Sequence, residues 1–160
     1  MTEPRADALA ARLEKGRQRT FEIFNTFTPE QWQQPLYTHP PWQVRHLLAH
    51  FVSAENQLLA LAREVAAGGS GAPLGFDVDG YNAAEQSRLQ GQSLPVLMDM
   101  LAQARQHTID WVRSLDADQL EKIGRHPVLG EVNVETMVLS IYGHQLLHMR
   151  ELSRLLGSVV

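Results

Sequence analysis

Two pairs of histidines at helical spacing are the chemistry-bearing feature of this chain. His144 and His148 lie four residues apart, and so do His46 and His50. Wound at about 100° per residue, the stretch from Asn133 to Leu156 (NVETMVLSIYGHQLLHMRELSRLL) sets Met137, Ile141, Leu152 and Leu155 on one stripe. His144 and His148 fall on that same stripe, one turn apart, where their rings could converge on a single ion. A core imidazole nitrogen without a partner costs about 1–3 kcal/mol, and a charged ring costs more. The bland reading is a pair of hydrogen-bonded core or boundary histidines, since this spacing also arises by chance. A second pair on another long helix supports the alternative, because it supplies a third imidazole from a facing element.

The two histidines of that second pair are not equivalent. Leu47, Phe51, Ala54, Leu58, Leu61 and Val65 form an apolar seam with His50 at its margin. His46 lies about 40° further round, among Ser53, Gln57 and Glu64. If one of them points inward, it is His50. His50, His144 and His148 would then be three neutral imidazoles suited to a divalent transition metal, Zn²⁺ or Ni²⁺. Three protein ligands leave a coordination position open, the mark of a reactive site. Glu55, Tyr142, Asp77, Asp79 and Asn82 are candidates to accept the remaining ring N–H groups, against the plainer expectation of solvated carboxylates.

The chain has no cysteine, which removes disulfides, thiolate metal sites and a protein thiol nucleophile together. Covalent haem attachment is excluded with them. A net charge of −4, with scattered Lys and Arg, argues against nucleic acid as a partner. No signal-type segment and no apolar run near the roughly 18 residues of a membrane span are present. The expectation is a cytoplasmic protein.

The elements that must position these histidines follow from periodicity and caps. A first helix runs from about Pro4 to Asn25, with Leu9, Leu13, Phe21 and Phe24 inward. Thr28-Pro29-Glu30-Gln31 starts a short helix carrying Trp32, which Pro35 ends. A second long helix covers Pro41 to Ala67. The segment Gly68-Gly69-Ser70-Gly71-Ala72-Pro73-Leu74-Gly75 reads as a flexible crossover, or less simply as a mobile cover. A short helix then ends near Gly91. Ser93 caps a third long helix from Leu94 to Leu115, with Leu97, Leu101, Ile109, Val112 and Leu115 inward and His107 on the surface. Asp116 starts another short helix, and a hairpin is expected around Leu129-Gly130. His126, in this connection, receives no role. Asn133 caps the last helix and Gly157 ends it. The whole, residues 1–160, predicts one all-α domain: a four-helix bundle with two long crossovers, from Ala67 to Ser93 and from Asp116 to Asn133.

At Trp42-Gln43-Val44-Arg45-His46-Leu47-Leu48-Ala49-His50 and Gly143-His144-Gln145-Leu146-Leu147-His148 the sequence resembles the DinB-like superfamily of metal-binding four-helix bundles. That superfamily includes YfiT-like proteins and mycothiol- and bacillithiol-dependent S-transferases. Phe76-Asp77-Val78-Asp79-Gly80-Tyr81-Asn82 resembles the mycothiol-dependent maleylpyruvate isomerase branch. The resemblance implies a DinB/YfiT-like fold and places the family's three ligands on His50, His144 and His148. It departs at Gln43, where Ser or Thr is usual, and at His46, where an acidic residue is common. His46 is thus left open as a fourth ligand or proton shuttle.

Three functions follow. One is an enzyme that uses an exogenous low-molecular-weight thiol for S-transfer to, or isomerisation of, a small electrophile, as the resemblance implies, with metal-water hydrolysis as its variant. The second is a non-catalytic metal-binding bundle of the stress-response kind. The third is a scaffold whose histidines are ordinary boundary residues. Pairing into a homodimer is expected from the resemblance.

Overall fold

The computed structural model describes residues 2–157. Seven helices and one hairpin follow in the order α1 (Pro4–Phe24), α2 (Pro29–Gln33), α3 (Val44–Ala66), α4 (Val78–Leu89), α5 (Leu94–Arg113), α6 (Ala117–Glu121), β1 (Ile123–His126), β2 (Gly130–Asn133) and α7 (Val134–Leu156). Capping chemistry fixes most of the starts. Thr28 and Gln31 close a reciprocal capping box on α2, Ser93 accepts from Val96 N at the head of α5, and Asn133 accepts from Thr136 N at the head of α7. Helix α3 begins three residues later than expected, because Gln43 is its N-cap and Pro40-Pro41-Trp42 stays extended. Helix α5 stops at Arg113, and Leu115 is buried beyond its end.

Helices α1, α3, α5 and α7 form a four-helix bundle in which α3 touches α5 and α7, and α1 touches the same two. The core has two apolar halves. One gathers Leu9, Leu13, Leu58, Ile109, Met137 and Ile141; the other gathers Phe24, Leu47, Phe51, Leu101, Met149 and Leu152. Helices α1 and α7 run from the first half to the second, and α3 and α5 run the opposite way. Neighbours α3 and α5 are therefore parallel, which forces the chain to travel back along the bundle between them. That return is the crossover carrying α4. The connection that carries α6 and the hairpin is long, as expected, but it is not a second return along the bundle: α5 ends and α7 begins in the same core half, with Leu120 of α6 packed there too.

A buried polar layer separates the two halves. Arg105 donates from Nε and Nη2 to the Glu55 carboxylate at 2.7 and 2.9 Å, and Thr108 and Gln145 donate to the same carboxylate at 2.8 and 3.1 Å. Glu55 thus works inside the core. It is neither a surface carboxylate nor a partner of the histidines, in contrast to the expectations for it.

The hairpin expected around Leu129-Gly130 is present, pairing Ile123 with Asn133 and His126 with Gly130. The glycine-rich stretch is less free than its composition predicts. Arg125 N donates to Ser70 O and Ala72 N to Arg125 O, so the crossover is laced to β1. Gly71 makes this approach with φ of 89°, where an added Cβ would lie 2.4 Å from Arg125 N. On α7 the inward stripe frays at its end: Leu155 is 38% exposed rather than buried. Among the described residues no helix is long and apolar enough to cross a membrane.

Candidate metal centre

Helices α3 and α7 are antiparallel neighbours, and their contact brings the histidines together. The ring centroids of His144 and His148 are 4.7 Å apart, and His50 lies 4.8 and 5.4 Å from them. One nitrogen from each ring falls in a set no wider than 4.8 Å. His50 is buried on a single turn of α3 with Leu47 and Phe51, and Phe51 packs against both α7 rings. Trp42 tilts over His50 at 5.1 Å. Helix spacing supplies the α7 pair, and the turn of α3 that carries Leu47 and Phe51 within the second core half supplies the third ring.

The hydrogen bonds fix which edges meet. Nε2 of His50 and Nε2 of His144 are 2.9 Å apart. His148 turns Nδ1 away, 3.1 Å from Glu151 Oε2 and 2.9 Å from the Tyr37 hydroxyl oxygen, while that hydroxyl donates to Glu151. With the Tyr37 O–H directed at Glu151, the contact between Tyr37 and His148 is filled by a proton on His148 Nδ1, the tautomer that leaves a lone pair on Nε2. A carboxylate behind a histidine in this way sets ring tautomer and orientation in metal sites. Nδ1 of His50 is the one buried side-chain polar atom without a hydrogen bond among the described residues.

Burial pushes His50 down to about 4, helped by His148, and His144 down to about 3, helped by His50 and His148. Both rings are neutral near pH 7, with lone pairs available. Tyr37 is held well above the usual phenol range by burial and by Glu151, so its proton stays in place. Three imidazoles with converging nitrogens, two of them held neutral by burial and the third backed by a carboxylate, match the donor set of a divalent transition metal.

Tyr37 and Glu151 were not apparent from periodicity. Glu151 had a legible signal, the three-residue step from His148 on one helix face. Tyr37 had none, because a loop delivers it: Leu36 N and Tyr37 N both donate to Trp42 O, folding the segment back over the site. The other candidates divide. Asp79 and Asn82 line the cavity in front of the histidines, whereas Asp77 caps α4 through Gly80 N. Tyr142 faces a different concavity. His46 lines the cavity outside the three-ring set, its Nδ1 accepting from Gln43 N at 2.7 Å. His107 is exposed, as expected. His126 does have a role: buried at the hairpin, it accepts from Val128 N and Leu129 N through Nδ1, and its Nε2 meets Ser140 Oγ at 3.1 Å.

The DinB superfamily model matches residues 12–152, most of the chain. The chain belongs to the DinB superfamily. Among solved structures, this DinB protein is similar to YfiT from Bacillus subtilis, reported as "a probable metal-dependent hydrolase with an unusual four-helix bundle topology". That match has a TM-score of 0.74 at 17% identity and covers 99% of this chain and 91% of the other. The mycothiol-dependent maleylpyruvate isomerase matches with a TM-score of 0.74 at 13% identity over 92% of this chain, and a histidine-to-alanine mutant of it matches equally well. The chain spans only 60% of that isomerase. At these identities the likeness shows the fold. No curated protein matches the sequence.

Proposed function

We propose that this DinB protein is a metal-dependent enzyme that binds Zn²⁺ or Ni²⁺ through His50, His144 and His148 and joins an exogenous thiol to a small electrophile, or isomerises the electrophile with that thiol's help. The observation that carries this reading is where the three imidazoles lie: on the wall of an open cavity of about 1150 Å³. A structural metal needs no such space, whereas a substrate site does. When bound, a divalent cation supplies the Lewis acidity that brings a water or thiol toward its anionic form near neutral pH. The nucleophilic sulfur must come from outside, because the chain has no cysteine. Mycothiol is the first thiol to test, given the isomerase that shares the fold.

The protein's own residues shape the rest. Glu151 and Tyr37 lock His148, and because the single Tyr37 hydroxyl proton is given to Glu151 and held there, this phenol steadies the site and does not act as a base. Gln57, Asn82, Gln86 and Gln90 give the walls amide groups, and Leu129 and Leu147 an apolar rim. Asp79 is the single formally charged lining residue, with no Lys or Arg among the described residues. Beyond the reach of the cation itself, such a wall offers a carboxylate no cationic partner, which favours an electrophile whose part away from the metal is uncharged.

The test is elemental analysis of purified protein, followed by a panel of thiols with matched uncharged and carboxylate-bearing electrophiles. The expected result is thiol consumption faster than with free metal alone, preferring the uncharged electrophile. Turnover that survives complete metal removal overturns the mechanism. Metal binding without rate enhancement leaves a non-catalytic bundle, and turnover of esters or amides without thiol moves the assignment to the hydrolase reading.

A further inference from the structure

A second concavity, of about 460 Å³, opens between α1 and α7 on the side of α7 away from the histidines. Arg12, Lys15 and Arg19 follow one another at three- and four-residue steps on one face of α1, and Arg150 reaches in from α7. No Asp or Glu lines this groove, although the chain as a whole carries a net charge of −4. Arg12, Lys15, Arg19 and Arg150 are all exposed and have no acidic partner among the described residues. Like charges at these helical steps repel one another, so nothing internal to the fold accounts for the cluster.

The floor of the groove is built rather than incidental. Arg105 contributes to it while only 2% exposed, its guanidinium anchored by Glu55 and by Leu13 O. Those bonds use three of its five N–H groups. Gly16, in the middle of α1, brings the helix backbone close at this point. A Cβ there would meet the Tyr142 ring at 3.2 Å and Arg105 Nη1 at 3.6 Å. The missing side chain lets Tyr142 and Arg105 form a cradle beneath the four exposed cations, with Leu146 and Ile23 adding apolar wall.

We infer that this groove binds a small, multiply charged oxyanion bearing phosphate or carboxylate groups. Arginines present paired N–H donors that match such groups bidentately, and gathering the cations around one concavity focuses their field on its interior. The site is independent of the metal reading, since none of its residues contributes to the three-histidine set.

The experiment titrates full-length protein with inorganic pyrophosphate and, in a second arm, with citrate, by calorimetry at low salt. The variants are Arg19→Glu, Arg150→Glu and Gly16→Val, with exposed Arg113→Glu as a control that changes net charge equally. The expected result is saturable binding near one anion per chain, weakened at least tenfold by Arg19→Glu and Arg150→Glu but less than threefold by Arg113→Glu. Gly16→Val should weaken it as well, with circular dichroism reporting whether α1 is intact. Which anion binds tighter separates the phosphate source from the carboxylate one. Absence of saturable binding, or equal weakening by the control, overturns the inference. So does a dimer at low salt that Arg19→Glu converts to monomer, since the groove would then be an interface between copies.

Discussion

Glu55 and Arg105 close a two-bond ion pair in the middle of the bundle, at 2.7 and 2.9 Å, with side chains 0% and 2% exposed. It lies between the two apolar halves of the core and ties α3 to α5, while Gln145 adds α7 and Leu13 O adds α1. Removing one partner of such a pair leaves a buried charge uncompensated, which costs about 3–5 kcal/mol. Arg105→Met should therefore lower stability by that order in urea unfolding. The double variant Glu55→Leu/Arg105→Met should recover much of the loss, because a well-packed apolar pair avoids desolvation. A double variant no better than the single would show that geometry, and not charge burial, is what the pair supplies.

His50, His144 and His148 act as one unit if they share a cation. Wild-type protein purified without chelator should carry close to one divalent ion per chain. His50→Ala, His144→Ala or His148→Ala should each reduce this to a trace, while exposed His107→Ala should not. Binding to the folded state alone also raises stability, by about 4 kcal/mol at a metal concentration 1,000 times Kd. Unchanged melting temperature on adding metal back to chelator-stripped wild type would end the metal reading.

Much of this arrangement was legible in the sequence, for a physical reason. The inward stripe of α7 is a consequence of helical period, so two imidazoles on it had to meet the core, and the facing seam of α3 placed His50 rather than His46 against them. Caps at Thr28, Ser93 and Asn133 marked helix starts because their side chains satisfy backbone N–H groups locally. What was not legible depended on contacts between distant segments. Glu55 reads as a surface acid until Arg105, fifty positions away, is known to meet it. Tyr37 belongs to a loop whose path is set by Trp42 O, and the glycine-rich crossover owes its order to β1. The basic groove was likewise invisible, because Arg150 joins the α1 cations only once α1 and α7 are neighbours.

Acid should destabilise the metal-free protein before its carboxylates begin to protonate. His50 and His144 are lowered to about 4 and about 3 in the fold, against an unfolded value of about 6.5, and His126 is lowered too by burial. Well above pH 6.5 both states leave these rings neutral, and stability is full. Below it the unfolded chain takes up protons that the folded chain refuses, so stability falls by up to about 1.4 kcal/mol per pH unit for each such ring. Melting temperature should therefore drop steadily between pH 6.5 and 5 in chelator. In the double variant His50→Gln/His144→Gln that slope should flatten, and an unchanged slope would assign the acid sensitivity to other groups.

Glu151 and Tyr37 differ in what they give His148, and two variants can separate them. Glu151 accepts a hydrogen bond from the Nδ1–H of the ring and so raises the basicity of Nε2, while Tyr37 mainly fixes the carboxylate and the ring edge. Partners of this kind change metal affinity about 10–100-fold in other sites. Glu151→Gln keeps the shape and can still accept through its amide oxygen, but removes the charge, and should weaken metal binding toward the upper part of that range. Tyr37→Phe retains the Glu151 charge and loses only the hydroxyl that steadies it, and should weaken metal binding only a few-fold. Competition with a chromophoric chelator at fixed pH measures both. Equal losses from the two variants would mean that ring orientation dominates, whereas no loss from Glu151→Gln would show that His148 does not use Nε2 toward a cation.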